Sequence, residues 1–262
     1  MKKGIEANGI RLAYDDEGSG EAVVLLHGLC GSAEYWVHVI PKLAEKYRVI
    51  VPDLRGHGES GVPDEVYTME QMADDIAHLL DRLGVEKAAL FGHSLGGYVT
   101  LAFAEKYPER LTAFSLVHST AHPDSDEAKA ARDKAVESIA AHGMEPFIKT
   151  LVPRLFAPGH LQSHSDEVER AKRIGLATNP QGAINTIRGM KERQDRNHVL
   201  RETSLPVLLV AGAHDQVIPP ERTFSAAGGH ITQALLPAAG HIGMLEDPQG
   251  LCGVIYRFLT KE

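Results

Sequence analysis

The chain reads as an α/β protein, a parallel sheet with helices on both faces and one helical insertion. Three observations predict it. Short apolar runs alternate with helix-period segments from about residue 22 to 119 and again from 205 to the end. The runs are continuously apolar rather than apolar-polar, as strands covered on both faces are. Between the two stretches the alternation stops for about eighty residues, where Ala, Lys, Glu and Arg with helix start and stop signals take over. At 262 residues the chain can bury the core of one large domain.

In order, the runs are AVVLLHG (22–28), RVIVPD (48–53), AALFGHS (88–94) and LTAFSLVHS (111–119). The intervening EYWVHVIPKLAEKY (34–47) is expected to be helical, as is MEQMADDIAHLLDRLG (69–84). In the latter Met69, Met72, Ile76, Leu79 or Leu80, and Leu83 recur at three- and four-residue steps, and Gly84 is placed to cap the C-terminus. In the insertion, Asp124 with Glu127 forms a capping box ahead of 125–142, MEPFIKTLVPRLF (144–156) is the most apolar piece, and Ser165 with Asp166 and Glu167 opens 166–178. Asn179-Pro180 ends that helix and starts another. LPVLLVAGAHD (205–215), a helical stretch from Pro220, and TQALLPAAGH (232–241) restore the alternation. A last helix then aligns Leu251, Val254, Ile255, Phe258 and Leu259, with Asp247 as N-cap before Pro248.

Composition excludes several classes. With 43% hydrophobic and 24% charged residues the chain is ordinary for a globular protein. A net charge of −8 with scattered Lys and Arg offers no basic face, so nucleic acid is not an expected partner. MKKGIEANGIRL meets Gly, Glu and Asn where a secretory signal needs apolar residues, and no run reaches spanning length; a cytoplasmic protein without membrane insertion is the expectation. Cys30 and Cys252 lie far apart and read as free thiols.

Chemistry concentrates at Gly92-His93-Ser94-Leu95-Gly96, a G-x-S-x-G between an expected strand and an expected helix. A strand turning sharply into a helix thrusts the central side chain outward, and the turn needs small neighbours. Chance alone supplies about 0.1 such motifs at this composition, so Ser94 as nucleophile needs a partner base and an orienting acid. Sites in open α/β sheets lie beyond the carboxyl ends of strands. His241 and Asp215 each follow an expected strand, in the order Ser94, Asp215, His241. His230 precedes its strand and reads as a solvated loop residue. Asp53 also follows a strand, but it sits in PDLRGHGES, where it can organise the loop through backbone hydrogen bonds. The oxyanion donors are expected to be the Leu95 N–H and, from HGLCGS, that of Leu29, with Cys30 as the alternative. Cys30 lacks an elbow and reads as a small turn residue. His160 and His164, four apart beside Asp166, could share a metal, but Pro158-Gly159 and the want of a third ligand make a polar loop the reading.

HGLCGS, PDLRGHGES, GHSLGG, AGAHDQVIPP and AGHIGMLEDP together resemble the α/β-hydrolase superfamily, over about residues 10–118 and 204–262. The resemblance implies a mostly parallel eight-stranded sheet forming a core (1–119 and 204–262), with residues 120–203 as a helical cap between strands six and seven. It implies a serine hydrolase of carboxylesterase or enol-lactonase type, without metal or cofactor, and disfavours the dehalogenases and epoxide hydrolases, which carry aspartate at the elbow. The expectation is hydrolysis of small carboxylic esters by Ser94, His241 and Asp215 through an acyl-enzyme, in a monomer or homodimer. Two alternatives stand beside it. A C–C bond hydrolase or enol-lactonase would use the same triad, the C–C hydrolase with Arg154, Arg188 or Arg193 to receive the carboxylate of a dienoic acid, and a ligand receptor on this fold would turn over slowly or not at all. Cys30, His93, Phe147, Leu151, Phe156 and Met190 are the candidate pocket residues; of the cap's apolar wall Phe147, Leu151, Leu155, Phe156, Ile184, Ile187 and Met190, most are expected to pack the cap onto the sheet and one or two to line the pocket.

Overall fold

The computed structural model describes residues 2–260. One sheet holds eight strands: β1 (Lys3–Ala7), β2 (Ile10–Glu17), β3 (Ala22–Leu26), β4 (Arg48–Pro52), β5 (Ala88–His93), β6 (Leu111–Val117), β7 (Val207–Gly212) and β8 (Ile231–Leu236). They lie in the order β1-β2-β4-β3-β5-β6-β7-β8. β2 runs antiparallel to both its neighbours, and every pair from β4 through β8 is parallel. The mostly parallel eight-stranded α/β sheet is thus as expected.

Successive residues of a buried strand feed opposite faces, so the sheet divides two cores. Val23 and Leu25 of β3 join one, with Val49, Val51 and Phe91; Val24 and Leu26 join the other, with Ile50, Leu90 and Phe103. Six helices fall between β6 and β7: Asp126–His142, Met144–Leu155, His160–Ser163, Ser165–Ala177, Pro180–Lys191 and Asn197–Glu202. Their apolar stripe, including Ile148, Val152, Ile174 and Ile187, is continuous with the first core rather than forming one of its own. Among the described residues no helix is long and apolar enough to cross a membrane.

Several expectations need correction. Residues 34–47 do not form one helix: a 3₁₀ turn (Ala33–Trp36) and a single α-turn (Ile40–Leu43) replace it. Pro41 has no N–H to continue a helix begun earlier, and Val37 and Val39 are stiff at χ1. The N-terminal hairpin β1-β2 was not read from the sequence, although Asn8-Gly9 turns it with φ of 49° and 77°, the left-handed pair of a tight hairpin. The helix at 126 is capped by Ser125, whose hydroxyl accepts from the Ala128 N–H, and not by Asp124, which turns away to pair with arginines. Residues 160–163 are a helical turn rather than a loop.

Candidate active site

β5 ends at His93, and the next residue, Ser94, sits at φ 50°, ψ −112° before the helix Leu95–Lys106 starts. A non-glycine residue held there costs on the order of 1–3 kcal/mol, which the surrounding packing must hold in place. The packing leaves no choice of neighbours: a Cβ on Gly92 would strike the Gly96 carbonyl, and one on Gly96 would come to 2.7 Å from the Leu26 carbonyl. The Ser94 N–H donates to Val117 O (3.0 Å), fixing the turn to β6.

Asp215 follows β7 and His241 follows β8, so both arrive at the same sheet edge as Ser94. His241 Nδ1 donates to Asp215 Oδ2 at 2.8 Å, both groups being buried. The other oxygen, Oδ1, accepts the N–H groups of Val217 and Ile218, each at 2.8 Å, so the carboxylate is held from two sides. Burial pushes the Asp215 carboxyl up, but His241 and His118, together with the backbone bond from Ile218, outweigh it and hold it below its ordinary range. With Nδ1 engaged, Nε2 is the ring nitrogen of His241 left free. Among the described residues Ser94 Oγ has no hydrogen-bond partner; it and His241 face one cavity of about 380 Å³.

The loop carrying His241 is tied to the insertion. The His241 N–H donates to Leu155 O (2.7 Å), and the buried Glu246 accepts from the N–H groups of Gly240 (2.7 Å) and Ala157 (2.6 Å) and pairs with His160 Nδ1 (2.9 Å). His160 therefore serves the packing of this loop. Among the described residues no cluster of His, Cys, Asp or Glu could hold a metal. Asp53 organises its loop: Oδ1 accepts from the Ala33 N–H (2.8 Å), and Oδ2 from the Glu59 N–H (2.9 Å) and Lys2 Nζ (2.6 Å). His230 is partly buried, its Nε2 on Leu200 O (3.0 Å), and so is not the solvated residue expected.

Of the residues expected at the pocket, His93, Phe147, Leu151 and Met190 line the cavity, as do Leu29, Leu155 and Ile187. Cys30 and Phe156 do not. Cys30 turns at φ 55° into the core against Thr178, where burial pushes its thiol up to about 12. Phe156 ends its helix in an extended conformation that sends the ring inward, fully buried. The N–H groups of Leu29 and Leu95 donate to no protein acceptor among the described residues.

Sequence reasoning missed several residues here. Tyr35, Tyr98 and Arg132 line the cavity, and His118 sits behind Asp215 with Nδ1 3.7 Å from Oδ2. The Gly243 N–H donates to His118 Nε2 (3.3 Å), which leaves the proton on Nδ1, facing Asp215. Burial drops the His118 pKa to about 3, so it faces the carboxylate as a neutral ring whose Nδ1, at 3.7 Å, makes no hydrogen bond to it. His118 directly follows β6, the same signal that picked out Asp215.

The profile of the family described as alpha/beta hydrolase fold matches residues 21–248. A thermophilic esterase from Thermogutta terrifontis, solved with malate bound, superposes with a TM-score of 0.95 at 36% identity, covering 100% of this chain and 98% of that one. The chain is also 30% identical over 97% of its length to the dihydrolipoyllysine-residue acetyltransferase component of the acetoin cleaving system of Cupriavidus necator, of which the match spans 68%. It is 29% identical to 3-oxoadipate enol-lactonase 2 of Acinetobacter baylyi, with 95% and 93% of the two chains covered.

Proposed function

The chain belongs to the alpha/beta hydrolase fold family, and from that premise we propose that it is a serine hydrolase cleaving small carboxylic esters through Ser94, His241 and Asp215. The observation that carries this reading is the convergence at one sheet edge. A serine in a strained turn shares a cavity with a histidine whose Nδ1 is held at 2.8 Å by a buried, doubly amide-bonded aspartate. The esterase from Thermogutta terrifontis, at 36% identity over the whole chain, supports the ester as substrate over other hydrolysable bonds.

In this mechanism His241 Nε2 takes the Ser94 proton as Oγ attacks the ester carbonyl carbon. The carbonyl electron pair moves onto its oxygen, which the Leu29 and Leu95 N–H groups receive. Collapse of that adduct breaks the bond to the alcohol, which leaves with the proton from His241, and an acyl-Ser94 remains. Water, deprotonated by the same imidazole, repeats the cycle on the acyl group and releases the acid. Asp215 holds the tautomer with Nε2 unprotonated. Residues 120–203 act as a cap domain over a core of 1–119 and 204–262, and the side chains of Phe147, Leu151 and Met190 set what fits.

Hydrolysis of 4-nitrophenyl acetate and butyrate by the wild type and by Ser94→Ala tests the reading. Turnover by the wild type that falls at least 10³-fold in the variant, with an unchanged circular dichroism spectrum, is the expected result. A variant that retains most of the activity contradicts it.

A further inference from the structure

The cavity wall is electrostatically one-sided. It contains two arginines, Arg132 and Arg154, and no aspartate or glutamate. Arg132 is not neutralised one-to-one. Its guanidinium shares the buried Asp124 with that of Arg193: Arg132 grips the carboxylate through Nε and Nη2, and Arg193 Nη1 lies 2.7 Å from Oδ1. Two guanidiniums on one carboxylate leave a net charge of +1 in a cluster whose side chains are 18%, 4% and 5% exposed for Arg132, Arg193 and Asp124. Arg193 sits over the Tyr98 ring, its guanidinium carbon 4.1 Å from the centroid, and does not line the cavity; its Nε is buried without a partner among the described residues. The excess charge therefore faces the cavity through Arg132, whose Nη1 meets only the Met190 sulfur at 3.7 Å, a weak acceptor.

The helix that carries Arg132 keeps its approach open. Ala128, Ala131 and Ala135 lie on one face of Asp126–His142 and line the cavity beside Arg132, so that face presents only methyl groups to the cavity next to the guanidinium. Arg154, exposed and with no ion-pair partner among the described residues, adds a second cation to the same wall. A buried uncompensated charge is costly and is offset by an anion brought to it. Planar guanidinium groups match a carboxylate in two hydrogen bonds, whereas a neutral acyl chain offers Arg132 nothing.

Resting on the esterase reading above, we propose that the substrate is an ester that carries a free carboxylate, the half-ester of a dicarboxylic acid, with that carboxylate held by Arg132 and assisted by Arg154. The test pairs 4-nitrophenyl half-esters of succinate, glutarate and adipate with their neutral methyl esters of equal length. In the wild type at least one half-ester is expected to exceed its neutral partner at least tenfold in kcat/KM. Arg132→Gln, which leaves Asp124 with Arg193 as a matched pair, brings that ratio to within about threefold of one. Arg154→Gln lowers it two- to threefold, as an exposed cation should. Should Arg132→Gln fail to fold, Arg132→Lys carries the comparison, with a ratio reduced but still above one. No preference for any half-ester, or a preference untouched by both Arg132 variants, overturns the proposal. Calorimetry on Ser94→Ala separates this from the triad: monomethyl glutarate binding no better than dimethyl glutarate, with the other lengths alike, refutes the carboxylate site, whereas loss of hydrolysis in the wild type with that binding preference intact refutes only the esterase reading.

Discussion

Replacing Asp215 by Asn changes one atom, and the surrounding hydrogen bonds dictate where that atom goes. Oδ1 accepts two backbone N–H groups, from Val217 and Ile218 at 2.8 Å each, so the amide oxygen must occupy that side. The NH₂ then faces His241 Nδ1, now 2.8 Å away, and can only donate. His241 is forced to accept at Nδ1 and to carry its proton on Nε2, the nitrogen proposed to take the serine proton. The cost is that of the wrong tautomer in a triad, about 10⁴-fold in kcat, or about 5.4 kcal/mol at 1.36 kcal/mol per tenfold. KM changes little, and because both backbone bonds survive, the urea midpoint moves by less than the equivalent of about 1 kcal/mol. Steady-state kinetics on 4-nitrophenyl butyrate with parallel urea titrations measure both. A loss under tenfold, with folding intact, would refute the assignment of Asp215 as the group that orients His241.

Further outcomes follow from the same geometry. Gly96→Ala puts a methyl 2.7 Å from the Leu26 carbonyl and should cost about 1–3 kcal/mol in chemical denaturation, with activity lost through the displaced elbow. Buried His57 and His118 have folded-state pKa values of about 3 against 6.5 for the free group, so as the pH falls below 6.5 these two groups take up protons in the unfolded chain that they do not bind in the folded one. Their joint contribution to stability is present above pH 6.5 and is lost progressively as the pH drops through 6 toward 3, at a slope approaching about 3 kcal/mol per unit well below 6.5, which urea titrations at pH 7, 6 and 5 would detect. Cys30 and Cys252, pushed by burial to about 12 and about 11, should resist iodoacetamide at pH 8 in the native protein and react fully once unfolded, by intact mass. Glu246→Ala removes the acceptor for two buried N–H groups beside the His241 loop and should destabilise by about 2–4 kcal/mol while lowering kcat, both measurable on one preparation.

The central strands of the parallel sheet were legible because burial on both faces writes itself as an unbroken apolar run, and Asp215 because it stands just past such a run; His241 follows the half-exposed edge strand β8. The helices of the insertion were legible at Asn179-Pro180, whose Asn side chain does accept from the N–H groups of Gln181 and Gly182. What failed was decided by contacts far along the chain. Asp124 looks like a local cap until Arg132 and Arg193 compete for its carboxylate, and Phe156 looks like a wall residue until its backbone turns extended. The charge of Arg132 could not be weighed from sequence, since its excess appears only when two guanidiniums fold onto one acid. Asn8-Gly9 and His118, by contrast, carried local signals that pattern reading could have used.

The central claim is that Ser94 is an activated nucleophile, and covalent capture tests it most directly. Incubation with a small fluorophosphonate, followed by intact mass and peptide mapping, is expected to give one adduct per chain, on Ser94, absent from Ser94→Ala and slowed at least 10²-fold in His241→Ala. An adduct that persists in Ser94→Ala, or a wild-type protein that remains unlabelled while folded, would contradict the account.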